Sequence, residues 1–223
     1  MKLYLDSADT SAWDNYLPTG IFHGITTNPL LAHRAGLEYE AIDWREMAAH
    51  AAKLGAKELH IQVAGGFDSY VNFSEKLYSI GKETGIEIVI KIPLVEEAIR
   101  VTPDIKKLGG RILMTACYDA KQMFVAKALE ADFIAPYFGR MAEAGMDAEG
   151  HLSAMLAMNE DSAKPCTILV ASLRSAAQIV DLARMGHDTF TIAPAIAQEL
   201  LTSEQSIAAF EDFERAASGP ADK

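Results

Sequence analysis

The chain has 223 residues, half of them hydrophobic and 23% charged, which suits one large domain with a substantial core. Its net charge of −11 argues against nucleic acid or an anionic membrane as a general partner, and no apolar run approaches the roughly 18 residues of a membrane span. Two cysteines within apolar runs and a short N-terminal apolar run suit a cytoplasmic protein without a signal peptide, and the six scattered histidines offer no metal site.

Short apolar segments alternate with helix-like segments along the chain. The predicted strands are residues 3–5, 24–26, 58–63, 86–92, 111–115, 132–136, 167–171 and 189–193. Strands that alternate with helices predict a parallel sheet, either an eight-stranded barrel or a doubly wound sheet. The count of eight favours an α/β fold of the (β/α)8 TIM-barrel type. The lack of a Gly-x-Gly-x-x-Gly or Walker loop weakens the nucleotide-binding alternative.

The helical segments have recognisable ends. Residues 120–130 and 175–185 have helical spacing, with Ser175 as the expected N-cap and Gly186 as the stop. After the eighth strand, residues 195–201 complete the last unit, and Thr202 or Ser203 can cap a further helix over residues 204–217. We therefore predict one domain over residues 1–217, which includes an extra C-terminal helix at about 203–217, and a flexible tail over 218–223. The extra helix covers the barrel mouth or docks on a neighbouring subunit.

The fourth predicted strand contains a lysine that needs an explanation. Side chains alternate between the two faces of a strand, so the isoleucines of segment 86–92 share one face and Lys91 lies on the other. A buried ammonium is costly unless it is paired or loses its proton. Lys91 therefore either extends its stem to water or is an amine of lowered pKa, ready for Schiff-base chemistry.

Polar side chains also follow the ends of other predicted strands, where a barrel enzyme has its active site. The full set is Asp6, Thr26, Thr27, Asn28, Gln62, Lys91, Thr115, Tyr137, Arg140, Ser172 and Arg174. Each has an ordinary alternative: Asp6 can cap a helix, Asn28 before Pro29 is typical of a turn, and arginines can be solvated surface charges. Because seven strands contribute to one face, we expect a polar site there.

Several of these segments together resemble the transaldolase family, in particular its short, single-barrel branch that includes fructose-6-phosphate aldolase. They are Asp6, Gly24-Ile25-Thr26-Thr27-Asn28-Pro29, Ile90-Lys91-Ile92-Pro93, Ala135-Pro136-Tyr137-Phe138-Gly139-Arg140 and Ala171-Ser172-Leu173-Arg174. The resemblance runs from residue 1 to about residue 215. It implies a barrel, a sugar-phosphate substrate, a class I aldolase mechanism without a cofactor, Lys91 as the Schiff-base lysine, and a homo-oligomer, either pentamer or decamer.

The resemblance also implies roles for the other site residues. The Asp6 and Asn28 side chains would hold the hydroxyls of dihydroxyacetone, Asp6 counting as catalytic, and Thr26 would belong to the substrate-binding set. A water that carries the proton would be positioned by Gln62, Thr115 and Tyr137. The phosphate of the aldehyde half would be bound by Arg140, Ser172 and Arg174.

Two positions favour an aldolase over a transaldolase within this resemblance. Transaldolases proper usually carry Glu in place of Gln62 and Phe in place of Tyr137. A glutamine cannot transfer a proton, but it can orient a water while a phenol acts as the acid/base group. Arg174 points the other way, because the aldolase branch more often has Lys there.

We therefore expect an aldolase that cleaves or forms a ketose phosphate such as fructose 6-phosphate, from dihydroxyacetone and glyceraldehyde 3-phosphate. One alternative is a transaldolase that transfers the dihydroxyacetone unit between sugar phosphates. Another is a non-catalytic barrel that binds sugar phosphates, against which the retained Lys91 argues.

Overall fold

The computed structural model describes residues 1–160 and 164–219, so residues 220–223 of the predicted tail lie outside the described residues. Eight strands are found in these ranges: β1 (Lys2–Asp6), β2 (Phe22–Thr26), β3 (Glu58–Gln62), β4 (Glu87–Pro93), β5 (Arg111–Cys117), β6 (Phe133–Pro136), β7 (Thr167–Ile168) and β8 (Thr189–Ile192). All pairings are parallel and sequential, and β8 lies beside β1. A bridge between Val170 and Phe190 joins the two ends of the sheet, so the predicted (β/α)8 TIM barrel is confirmed.

The helices surround this sheet. They are α1 (Thr10–Tyr16), α2 (Pro29–Arg34), α3 (Trp44–Lys53), α4 (Tyr70–Thr84), α5 (Glu96–Lys107), α6 (Gln122–Ala128), α7 (Phe138–Glu143), α8 (Ala148–Asn159), α9 (Ala176–Arg184), α10 (Pro194–Leu201) and α11 (Glu204–Ala217). The Ser175 side chain caps α9, Gly186 follows it in the left-handed conformation, and Ser203 caps the extra helix α11. In the described part of the chain, every helix is too short or too polar to cross a membrane.

Strand alternation divides the core into two layers. The isoleucines of β4 pack outward against the helices. The inner layer fills the barrel with Tyr4, Val89, Leu113, Phe133, Ala135, Leu169 and Ala171. Because Lys91 is two residues from Val89, it shares that inner face and rises toward the C-terminal mouth.

A charged network occupies the opposite, N-terminal end of the barrel interior. The Glu58 carboxylate accepts hydrogen bonds from Tyr4 Oη at 2.8 Å and from Arg111 Nη1 at 2.8 Å, and it lies 2.8 Å from His60 Nε2. Burial alone would raise the pKa of Glu58, but hydrogen bonds from His60 and Tyr4 and the Arg111 charge hold that pKa well below its usual range. Burial lowers the pKa of His60 to about 4, so His60 is neutral at pH 7 and donates from Nε2. These side chains form the floor beneath the site.

Candidate active site

A cavity of about 280 Å³ opens at the C-terminal ends of the strands. Ten residues have a role implied by the resemblance, and nine of them line this cavity: Asp6, Thr26, Asn28, Lys91, Thr115, Tyr137, Arg140, Ser172 and Arg174. The tenth, Gln62, ends β3 in register with Lys91 but is not among the lining residues. Its backbone carbonyl accepts a hydrogen bond of 2.5 Å from Tyr39 Oη. The parallel strands therefore bring the predicted set together, with Gln62 off the cavity wall.

Lys91 is buried at the base of this cavity and is 4% exposed. Its Nζ donates a hydrogen bond of 2.8 Å to the backbone carbonyl of Thr27. Burial lowers the pKa of Lys91 to about 8, against the opposing effect of the Asp6 carboxylate. Roughly a tenth of such amines are unprotonated at pH 7. The site thus presents an oriented amine that can act as a nucleophile.

The Asp6 side of the cavity is a hydrogen-bonded wall. Thr26 Oγ1 donates to Asp6 Oδ1 at 2.6 Å and lies 2.5 Å from Thr191 Oγ1. Asp9 rather than Asp6 caps α1, so the capping alternative for Asp6 is wrong. Asn28 does cap α2, because its Oδ1 accepts a hydrogen bond of 3.0 Å from the backbone N–H of Leu31. Its amide group keeps two N–H donors for a ligand.

Tyr137 lies on the other side, within a cluster of polar and aromatic groups. Its hydroxyl is 3.1 Å from Thr115 Oγ1, and burial raises its pKa, which keeps the phenol protonated at neutral pH. The Arg140 guanidinium lies 5.0 Å from the centre of the Tyr137 ring. Arg140 Nη1 also donates to Tyr118 Oη at 3.3 Å, and the rings of Tyr118 and Tyr137 pack edge to face. Tyr118 was not predicted, although it directly follows β5.

Arg174 is fixed by a partner that the sequence did not indicate. Its Nε and Nη2 donate to the two Glu143 carboxylate oxygens at 2.6 and 3.0 Å. Its Nη1 donates to the Ser172 carbonyl at 2.7 Å. Glu143 therefore orients the guanidinium and occupies much of its hydrogen-bonding capacity, which leaves part of Nη2 for a ligand.

Two further features complete the cavity. Arg34, at the end of α2, lines it and was not predicted, because nothing in the sequence marks that helix face as turned to the mouth. As for metals, no group of three or more His, Cys, Asp or Glu side chains in residues 1–160 and 164–219 is arranged to hold an ion. The cavity therefore combines one amine, one carboxylate, one phenol and three guanidinium groups.

Comparison with known proteins identifies the family. The sequence profile of the transaldolase/fructose-6-phosphate aldolase family matches residues 3–219. A probable transaldolase of Novosphingobium aromaticivorans is 28% identical over 200 residues, which cover 90% of this chain and 88% of the relative. A probable transaldolase of Paracoccus denitrificans is 28% identical over 196 residues, covering 88% and 87% of the two chains.

Solved structures share the fold at low sequence identity. The 3-hexulose-6-phosphate synthase of Salmonella typhimurium superposes with a TM-score of 0.59 at 19% identity, covering 89% of this chain and 96% of that one. The tryptophan synthase A-subunit of Pyrococcus furiosus gives 0.60 at 12% identity, with 89% and 88% covered. Identities this low support the barrel architecture alone.

Proposed function

Because the chain belongs to the transaldolase/fructose-6-phosphate aldolase family, we propose that it is a class I aldolase acting on a ketose phosphate such as fructose 6-phosphate. The observation that carries the proposal is the Lys91 amine, which is buried at the base of the cavity with its pKa lowered to about 8. A deprotonated amine is the form that attacks a carbonyl. A barrel that only binds sugar phosphates has no need for such an amine, so we favour an enzyme.

In the proposed reaction, the protonated imine that forms on Lys91 is the electron sink. The Lys91 Nζ adds to the C2 carbonyl of the ketose, and loss of water gives an imine. Removal of the C4 hydroxyl proton then breaks the C3–C4 bond, which releases glyceraldehyde 3-phosphate and leaves its electron pair in a three-carbon enamine. Protonation at C3 and hydrolysis of the imine return dihydroxyacetone and the free amine.

Tyr137 is the group that we assign to proton transfer. Its hydroxyl is paired with Thr115 Oγ1 at 3.1 Å, and both side chains line the cavity that Lys91 enters. Burial raises the pKa of Tyr137, so its phenol keeps the proton that it would donate to the enamine, whereas Gln62 cannot carry a proton and would at most orient a water. This pairing is the reason to prefer the aldolase reaction.

The two ends of the substrate would meet different walls. Asp6 and Asn28 would hold the hydroxyls of the dihydroxyacetone unit, with Thr26 fixing the Asp6 carboxylate. On the opposite side, Ser172 and the two arginines Arg140 and Arg174 would bind the phosphate. The chain has a net charge of −11, so a local cationic group is needed to hold a dianion.

A transaldolase is the second candidate. The relatives are named probable transaldolases. By the resemblance described above, Arg174 is also the residue that larger transaldolases carry. Such an enzyme would pass the same enamine to erythrose 4-phosphate instead of protonating it.

An assay with fructose 6-phosphate, with and without erythrose 4-phosphate, separates the candidates. An aldolase releases dihydroxyacetone without the acceptor, whereas a transaldolase turns over only when the acceptor is present.

Borohydride should also reduce the imine and add mass to the peptide that contains Lys91. The variant Lys91→Met should not be labelled, and Lys107→Met, at an exposed position, should be labelled like the parent protein. Labelling of another lysine would contradict the mechanism.

We further propose that the protein is a homo-oligomer in which α11 packs on a neighbouring subunit. None of the 14 residues of α11 is buried. Ile207, Phe210 and Phe213 are 50%, 59% and 69% exposed, and their spacing places them along one side of the helix. An apolar helix face of this kind is typical of an interface, and a second copy is the partner that the family resemblance implies.

A further inference from the structure

The proposed function assigns phosphate binding to Arg174, but a carboxylate already holds most of that guanidinium. Glu143, the last residue of α7, accepts hydrogen bonds from Arg174 Nε at 2.6 Å and from Nη2 at 3.0 Å. Nη1 lies 2.7 Å from the Ser172 carbonyl, 3.1 Å from the Ser172 hydroxyl and 3.3 Å from the Leu173 carbonyl. A guanidinium has five N–H donors, two of them on Nη2. One N–H of Nη2 therefore remains for a ligand.

Phosphate and Glu143 compete for the same edge of Arg174. An arginine binds phosphate most strongly through two parallel N–H bonds. The carboxylate of Glu143 occupies the edge formed by Nε and Nη2, and Nη1 is directed to Ser172 and Leu173. A phosphate that takes two N–H bonds must displace the carboxylate, whereas a phosphate that leaves the pair intact takes only one.

The charges at this end of the cavity have the same effect. Glu143 lies three residues after Arg140 on α7, which places both on one helix face. Hydrogen bonds from Arg174, together with the charges of both arginines, hold the pKa of Glu143 below its usual range, so the carboxylate is ionised at neutral pH. The three side chains then carry one net positive charge, against about −1.5 to −2 on a phosphate monoester. Glu143 therefore leaves the phosphate only partly neutralised.

We propose that Glu143 sets specificity at the phosphate end of the site, where it weakens the binding of phosphorylated substrates by holding Arg174 and cancelling its charge. This inference rests on the proposed function, which places the phosphate beside Arg140 and Arg174. Glu143 is not among the residues that line the cavity, so it is a positioning residue that acts through Arg174. A carboxylate that only oriented Arg174 for phosphate would strengthen binding, so the two roles predict effects of opposite sign.

Imine trapping on Lys91 measures that sign without requiring release of a product. The Lys91 amine and the C2 carbonyl of a ketose form an imine with loss of water, and borohydride reduces it to a secondary amine. Mass spectrometry quantifies all reduced adducts on the peptide that contains Lys91. Fructose 6-phosphate carries the phosphate, and dihydroxyacetone, which has none, is the reference for the reactivity of Lys91.

Glu143→Gln removes the charge from a side chain of nearly unchanged size. At low ionic strength, the concentration of fructose 6-phosphate that traps half of the protein should fall about fivefold, with that of dihydroxyacetone unchanged. Glu143 and Arg174 are partly exposed, so salt screens their charges, and at about 1 M salt most of this gain should disappear. A change in the position of Arg174 alone would not depend on salt in this way.

Two variants serve as controls. Glu143→Asp keeps the negative charge and should not tighten the binding of fructose 6-phosphate. Glu83→Gln removes the charge of another partly exposed glutamate that is paired with an arginine, Arg45, and it should resemble the parent protein.

The outcomes separate this inference from the proposed function. If Glu143→Gln still forms the dihydroxyacetone imine but needs as much fructose 6-phosphate as the parent protein, or more, this inference alone is overturned. The same holds if Glu143→Asp gains as much as Glu143→Gln. If the parent protein forms no imine with either ketose, the proposed function is overturned and this inference with it.

Discussion

Burial of Lys91 makes the stability of the protein depend on pH. Its pKa is about 8 in the folded protein against an ordinary value of 10.5, so the folded state binds this proton more weakly than the unfolded state. Between about pH 8 and about pH 10.5 the unfolded state carries more of the proton, and the free energy of unfolding rises with pH. Below pH 8 both states are protonated, and the full cost of burying the ammonium remains.

Replacing the amine should therefore stabilise the fold. Lys91→Met should raise the free energy of unfolding at pH 7 by up to about 3 kcal/mol, at about 1.4 kcal/mol per tenfold change in proton affinity. The lost hydrogen bond to the Thr27 carbonyl reduces this gain. Urea unfolding should show the advantage of the variant shrinking from pH 8 to pH 10. Lys107→Met, at an exposed position, should show no such trend. A difference that stays constant with pH would contradict this account of Lys91.

Tyr137 should matter for catalysis more than for stability. Tyr137→Phe keeps the ring beneath Arg140 but removes the hydroxyl that faces Thr115. We expect cleavage of fructose 6-phosphate to slow by about 100-fold, the usual scale for a general acid/base group, with imine trapping on Lys91 retained. Tyr16→Phe removes a hydroxyl that bonds Gln198 and does not line the cavity, so it should be neutral. Equal losses in both variants would argue against proton transfer by Tyr137.

The sequence predicted which strand ends and following loops supply residues to the cavity, but it missed contacts that depend on how those loops and helices are oriented. Lys91 and Thr115 lie on strands, whose alternation and shared mouth bring them together. Tyr118, Glu143 and Arg34 were missed because their contacts depend on how the following loops and helices are oriented. The alternation of side chains along β3 likewise predicts that Gln62 lies on the inner face. It does not predict whether the side chain lines the cavity.

At the scale of elements, the sequence predicted that each of the eight strands exists. It did not predict where their pairing is irregular. The segment predicted over residues 167–171 has regular pairing only over Thr167–Ile168, and the rest contributes isolated bridges. Near the end of β5 the pairing register shifts beside Ala116, which has a φ of 57°. The left-handed region is unfavourable for alanine. The residue types in β5 do not predict this bulge next to Thr115, because tertiary packing causes it.

The contact between α7 and the chain after β7 depends on one glycine. A Cβ at Gly139 would lie 2.0 Å from the Ser172 carbonyl oxygen, which is backbone and cannot turn away. Gly139→Ala should therefore cost about 2 kcal/mol or more of stability. By moving Ser172 and Arg174, it should also raise KM for phosphorylated substrates.

The matched control for this prediction is Gly66→Ala. A Cβ there would contact nothing within 4 Å, and the φ of Gly66 is −73°. Thermal unfolding and kinetics of the two variants check the prediction. A Gly139→Ala protein as stable as Gly66→Ala would show that the close contact relaxes freely.

At the scale of the whole molecule, the sequence predicted the length of α11. It could not predict what this helix packs against. Replacing Ile207, Phe210 and Phe213 with serine should dissociate the proposed oligomer, because it removes the apolar face that a neighbouring subunit would cover. Sedimentation velocity gives the mass of each species. Glu211→Ser is the control on the same helix and should leave the mass unchanged. A parent protein that sediments as a monomer would contradict the proposal.

The short pairing between β7 and β8 affects where the barrel unfolds locally. Around Val170 this pairing consists of two hydrogen bonds of 2.9 Å, from its N–H to the Thr189 carbonyl and from the Thr191 N–H to its own carbonyl. A closed sheet opens first where its pairing is shortest, so we expect local unfolding to begin here. In hydrogen–deuterium exchange, the amides of Val170 and Thr191 should be replaced well before that of Leu113 in β5. Ser172 and Arg174 directly follow the pairing of β7 with β8. A phosphate bound to them would restrain this pairing and slow exchange at the Val170 and Thr191 amides.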